Sequence, residues 1–70
     1  MDESDIEIID GRVIEALPST LFRVETVTGK VIISYLGGRM RVHKIKVLVG
    51  DKVSIQIDPY GGKGRIVKRL

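Results

Sequence analysis

Seventy residues with a formal net charge of +3 and no cysteine bound this chain to one small domain, without a disulfide framework or a thiolate metal site. The single histidine, His43, cannot build a zinc site by itself, and no run approaches the ~18 consecutive apolar residues of a membrane-spanning helix. A chain of this size buries only about 60% of its unfolded surface, so stability must come from packing and from closing sheet edges.

Taken in chain order, the opening Met1-Asp2-Glu3-Ser4-Asp5 is acidic and has neither the basic nor the apolar region of a secretion signal. Residues 1–5 are expected to form a flexible tail. Together with the absence of cysteine, which fits a reducing compartment, this reads as a soluble, cytoplasmic protein. No helical period is sustained beyond two turns; short β-rich runs alternate with turn residues instead. The first run is Ile6 to Leu17. Ile6 and Ile8 share a face, and the phase breaks at Ile9-Asp10-Gly11 before Val13, which predicts a bulge or a sharp coil at the glycine. Pro18-Ser19-Thr20 makes the first turn. Leu21 to Val27 follows, with Phe22 and Val24 alternating against Arg23 and Glu25 and Phe22 expected in the core. Thr28-Gly29 is a hairpin signal, since glycine accepts positive φ. Lys30 to Leu36 then places Val31, Ile33 and Tyr35 on one face, with Tyr35 expected half-buried.

Gly37-Gly38 interrupts. Arg39 to Lys44 has no strand alternation that buries one face, and a short helical turn with Met40 inward and the bases outward is expected. Ile45 to Leu48 leads to a turn at Val49-Gly50-Asp51. Val53, Ile55 and Ile57 alternate with Lys52, Ser54, Gln56 and Asp58 in the cleanest strand. Asp58-Pro59-Tyr60-Gly61-Gly62 is a turn by composition, and Gly64 to Lys68 is the last strand. Five strands with a short helical connector between the third and fourth predict an all-β OB-fold barrel over residues 6–70, a single domain expected to bind RNA. An SH3-like barrel is the alternative of similar length and strand count.

Charge is unevenly spread. Residues 1–35 carry seven acids and three bases, for −4; residues 36–70 carry Asp51 and Asp58 against nine bases, for +7. Such asymmetry is the sequence footprint of a polyanion-binding face. The bases fall into two groups, Arg39, Arg41, Lys44 and Lys46 in and after the connector, and Lys63, Arg65, Lys68 and Arg69 around the last strand. The usual nucleic-acid face of an OB-fold includes strands two and three, where Arg23 would join them. Arginine forks match phosphate oxygens bidentately, and several such contacts drive affinity through counterion release.

Catalytic chemistry finds no purchase. Ser4, Ser19, Ser34 and Ser54 lack the local signatures of an activated serine, and His43 sits among bases with no carboxylate to orient it. Gly61-Gly62-Lys63-Gly64 lacks the spacing and trailing hydroxyl of a phosphate loop. No cofactor motif is present, and no enzyme activity is expected. Phe22, Tyr35 and Tyr60 are the aromatic residues. Tyr60 is the best stacking candidate, though a tyrosine packed into its turn fits equally. So few aromatics argue against a single-strand stacking platform and for reading backbone shape in folded RNA.

The run Gly11-Arg12-Val13-Ile14-Glu15-Ala16-Leu17-Pro18-Ser19-Thr20-Leu21-Phe22-Arg23-Val24 resembles the first hairpin of bacterial translation initiation factor one. Gly38-Arg39-Met40-Arg41, Gly50-Asp51-Lys52-Val53, Asp58-Pro59-Tyr60 and Lys63-Gly64-Arg65-Ile66-Val67 resemble that family in order and spacing, so that the likeness runs from about Ile6 to Arg69. The resemblance implies a factor that binds the decoding region of the small ribosomal subunit and occupies the aminoacyl-tRNA site. It further implies contacts with ribosomal RNA and a ribosomal protein, and work alongside the other two initiation factors. The free protein is expected to be a monomer. The chain departs from the family pattern at Val42, where a base is usual, at His43-Lys44, where Asn-Tyr is usual, and at Gly61-Gly62, one residue shorter than the common turn. The alternative from another class is a general nucleic-acid-binding or protein-interaction barrel.

Overall fold

Phe22, Val24 and Thr26 turn inward from one strand, and across the ladder Phe22 faces Ser34 and Val24 faces Ile32. Around this pair of strands a barrel closes. The computed structural model describes residues 7–57 and 62–70. Its elements are β1 (Glu7–Leu17), β2 (Leu21–Thr26), β3 (Val31–Leu36), α1 (Gly38–Val42), β4 (Lys52–Ile57) and β5 (Gly64–Arg69). The strand order is β1-β2-β3-β5-β4, and β4 pairs back onto β1 to close the sheet. Every neighbouring pair is antiparallel except β3 and β5, which run parallel through Ser34–Gly64, Tyr35–Arg65 and Leu36–Ile66. Closure gives each of these strands a partner on both sides, which is how so short a chain avoids edge-to-edge association. The expected order of three strands, a short helix and two strands is the order found.

β1 serves both sides of the barrel, and Gly11 is the point of exchange. It pairs with Thr26 on β2 and with Val53 on β4. A Cβ there would lie 2.7 Å from the Glu25 carbonyl oxygen and 2.8 Å from Val24 Cγ1, so only glycine lets the three strands meet. No register shift falls at Gly11 itself. The register shift on β1 falls further on, between Val13 and Glu15. Pro18–Thr20 forms a single 3₁₀ turn, with Ser19 at φ 65° and Thr20 at φ 60°. Left-handed backbone at two consecutive non-glycine residues is strained.

On β3 the expected shared face is found, with Tyr35 half-buried. That face of Val31, Ile33 and Tyr35 is the outer one; Ile32, Ser34 and Leu36 point inward. Ser34 is fully buried because its partner across the parallel ladder is Gly64, where a Cβ would come within 2.8 Å of Ser34 Oγ. Two small residues share a space that two aliphatic ones would overfill. The Ser34 hydroxyl donates to the Ile32 carbonyl at 3.3 Å, so its burial leaves no unpaired polar group.

The core joins Val13, Phe22, Val24, Val53, Ile55 and Ile66 from the strands with Met40 of α1 and Val47 of the α1–β4 connection. Ile9, Ile32, Leu36 and Ile57 pack against it. Ser54 is also buried, and its hydroxyl donates to Asp10 Oδ1 at 2.7 Å, tying β4 to β1. Residues 1–5, expected as a tail, and residues 58–61 of the turn expected from Asp58 to Gly62 lie outside the described residues.

Candidate nucleic-acid interface

Gly37 decides where the basic connector sits. It is buried, its N–H donates to the Ile66 carbonyl at 2.8 Å, and a Cβ on it would meet that same oxygen at 2.8 Å and Arg65 Cγ at 3.2 Å. The backbone can therefore lie directly on β5. From this anchor α1 turns Met40 into the core, only 2% exposed, and throws Arg39 and Arg41 outward on either side of it. Successive helical residues are about 100° apart, so a buried Met40 leaves both flanking arginines at the rim.

That placement brings residues distant in sequence together. Arg39 and Arg65 line one cleft with Gly37, Gly38, Met40 and Val67. Arg41 lines a second with Ser19, Thr20, Tyr35 and Leu36. Tyr35 joins the two clefts, because Arg65 faces it across the β3–β5 ladder. The Arg65 guanidinium lies 5.8 Å from the centre of the Tyr35 ring, and its Nε donates to the tyrosine hydroxyl at 3.3 Å. A guanidinium stacked in this way is held in direction without being neutralised. Arg23 stands on the same outer surface, opposite Ile33 and two residues along β2 from Leu21, the partner of Tyr35. It is not free, since Nη1 pairs with Glu15 Oε1 at 2.9 Å.

The remaining bases are more dispersed. Lys44 follows α1 at φ 52° and is exposed, as are Lys46 and Lys63. Lys68 and Arg69 sit at the far end of β5, opposite Ser54 and Val53, and do not join Arg65. Four residues along a strand is about 13 Å. Arg69 instead turns to the connector: Nη1 donates to the Lys46 carbonyl at 3.2 Å and Nε faces Asp51 Oδ2 at 3.6 Å. Tyr60 lies outside the described residues.

Four participants, Tyr35, Ser19, Thr20 and Glu15, were not among the residues expected at the site. Ser19 and Thr20 read as an ordinary turn, and only the folded chain puts their strained backbone beside Arg41. Glu15 is recognisable as the counter-ion of Arg23 only once the register pairs Glu15 with Arg23. A further cleft, lined by Asp10, Gly11, Arg12, Glu25, Thr26, Val27, Lys52 and Leu70, has mixed charge and lies where β1 exchanges partners. Among the described residues no group of acids, histidine or cysteine is placed to hold a metal ion, and no helix is long and apolar enough to cross a membrane.

A closed five-stranded barrel with a helical connector and a rim of convergent arginines is an OB-fold of the kind suited to a polyanion. Residues 2–70 match the family model described as translation initiation factor 1A / IF-1. The solution structure of translation initiation factor IF-1 from the Wolbachia endosymbiont of Brugia malayi superposes with a TM-score of 0.81 at 34% identity, over 99% of this chain and 85% of that one. YjeQ from Thermotoga maritima matches with a TM-score of 0.75 at 31% identity, over 91% of this chain but only 23% of that protein. Eukaryotic translation initiation factor 5A from Methanococcus jannaschii matches with a TM-score of 0.67 at 12% identity, over 93% of this chain and 44% of that one, a likeness of fold alone. The chain belongs to the translation initiation factor 1A / IF-1 family, in its bacterial branch, and is a non-enzymatic translation initiation factor.

Proposed function

We propose that this factor binds the decoding region of the small ribosomal subunit, in the aminoacyl-tRNA site, through contacts of its basic rim with ribosomal RNA. The observation that carries this reading is the convergence of Arg39, Arg41 and Arg65 around the seam of α1 and β5, with Arg65 oriented by Tyr35. Arginines on a rigid scaffold fit one arrangement of phosphates and miss another. Lys44, Lys46 and Lys63 extend the same electrostatic surface. Membership of the family supports the ribosomal context: a cytoplasmic protein, monomeric when free, that meets ribosomal RNA and a ribosomal protein and works with the other two initiation factors.

With no signature of an activated nucleophile and no cofactor motif in the sequence, the protein acts by occupying space and by shifting an equilibrium. Occupation excludes tRNA from the site by overlap. Any wider effect on the subunit requires tighter binding to one of its conformations than to another, because equal affinity shifts nothing. Chemical footprinting on purified small subunits tests the placement. Protection confined to decoding-region nucleotides supports it. Equal affinity for duplex DNA and arbitrary RNA, with no local protection, replaces it with a general nucleic-acid-binding barrel.

A further inference from the structure

Lys46 sits on a stretch without regular secondary structure, Ile45 to Leu48, and Lys44 on the turn just before it. Bases on a loose loop must be ordered when they bind, which costs affinity. Here the loop is held at three places. Beneath it Val47 is 7% exposed and belongs to the core. At its end the Val13 N–H donates to the Asp51 carbonyl at 2.9 Å, and the Gly50 N–H donates to the Val13 carbonyl at 2.7 Å. Across the top runs a chain of polar contacts. Arg69 Nη1 donates to the Lys46 carbonyl, and Arg69 Nε faces Asp51 Oδ2. That same Oδ2 accepts from the Leu48 N–H at 2.9 Å, and the Asp51 N–H donates to the Leu48 carbonyl at 3.0 Å. Two nitrogens of one planar fork thus bind the beginning and the end of the segment from Lys46 to Asp51.

We infer that Arg69 is a positioning residue: it fixes the Lys46–Asp51 stretch, and with it the base Lys46, against β5 instead of serving chiefly as a phosphate contact itself. The inference rests on the proposed reading that bases of this connector meet ribosomal RNA. Arg69 and Asp51 are 49% and 24% exposed in their side chains, so the pair adds little to global stability. Its effect is local, on the order of one loop. Lysine in place of Arg69 keeps the charge but replaces a planar fork by a point charge, which cannot hold both acceptors in the same geometry.

The two roles predict opposite results for one substitution. Asp51→Asn raises the net charge by one, and its amide oxygen can still accept from the Leu48 N–H. Simple electrostatics makes that variant bind RNA more tightly. Positioning makes it bind more weakly, because Arg69 loses its counter-ion and the loop loosens. Glu7→Gln makes the same change of charge at an exposed position opposite Ile57, at the other end of β4 from the loop, and serves as the reference. The experiment measures small-subunit affinity across a salt series for the wild type, Arg69→Lys, Asp51→Asn and Glu7→Gln. In parallel, amide hydrogen exchange of residues 46–51 is followed in the free proteins. Arg69→Lys and Asp51→Asn are expected to bind several-fold more weakly and to exchange faster over this segment, while Glu7→Gln binds at least as tightly as the wild type. Wild-type binding by Arg69→Lys, or tighter binding by Asp51→Asn, overturns the inference, as does unchanged exchange in both variants. A wild type that fails to bind small subunits at all sinks the proposed function instead, and the exchange data then still decide what holds the loop. Arg69→Lys alone decides the matter if Asp51→Asn does not fold.

Discussion

Arg65 lies over the ring of Tyr35, 5.8 Å from its centre, and donates to its hydroxyl at 3.3 Å, although thirty residues separate the two in sequence. The parallel β3–β5 ladder makes them direct neighbours on the outside of the barrel. Arg65→Ala and Arg41→Ala are each expected to weaken small-subunit binding with little change in thermal midpoint, because both side chains are exposed beside buried Ile66 and Met40. Tyr35→Phe keeps the ring and loses one exposed hydrogen bond, for a loss of about 0.5–1.5 kcal/mol of binding at most. Binding and melting measured on the same preparations check this. An arginine variant that unfolds would make that side chain structural.

Phe22 has the opposite character. It is 8% exposed and faces Ser34 across β2 and β3. Phe22→Ala removes packed volume from a thin core and is expected to cost ~3–5 kcal/mol, a large share of what so small a domain has. Urea denaturation should show a partly or wholly unfolded variant. A midpoint within error of the wild type would mean that the barrel repacks freely.

Gly11→Ala tests the exchange of partners on β1. The new methyl would sit 2.7 Å from the Glu25 carbonyl oxygen, which belongs to the β2 backbone, so the strands themselves must part. The expected loss is on the order of 1–3 kcal/mol. Gly38→Ala is the control, since a Cβ there meets nothing within 4 Å. Equal midpoints for the two variants would contradict the close approach.

Binding should also be electrostatic and multi-point. If about five bases meet phosphates, log K against log salt slopes at roughly −3.5 to −4.5. Neutralising Arg39 should make that slope shallower by about one unit or slightly less. A slope near zero would remove the polyanion interface altogether.

Most of the fold was legible because its elements have unambiguous punctuation. Gly37-Gly38 and the Met40 between two arginines marked a helical turn with one buried side chain, and the structure places it so. For β3 the shared face was legible, but not whether it points in or out. Val31, Ile32, Ile33, Tyr35 and Leu36 are apolar or aromatic on both faces, so a period of two selects neither. The deciding residue was Ser34, whose inward place depends on Gly64 thirty residues later. The site was legible in its charges but not in its assembly. Arg39, Arg41 and Arg65 stand out as bases, while the Tyr35 stack, the Glu15–Arg23 pair and the turn of Arg69 toward Lys46 are products of register. Such contacts join strands far apart in the chain, and no local pattern encodes them.

The measurement that tests the account most directly is a titration of aminoacyl-site tRNA against this protein on purified small subunits. Mutual exclusion is predicted for the wild type. The triple variant Arg39→Ala, Arg41→Ala, Arg65→Ala should remain folded and no longer compete, since all three side chains are exposed. Simultaneous binding of wild-type protein and tRNA to one subunit would contradict occlusion, and undiminished competition by the triple variant would contradict the arginine rim as its cause.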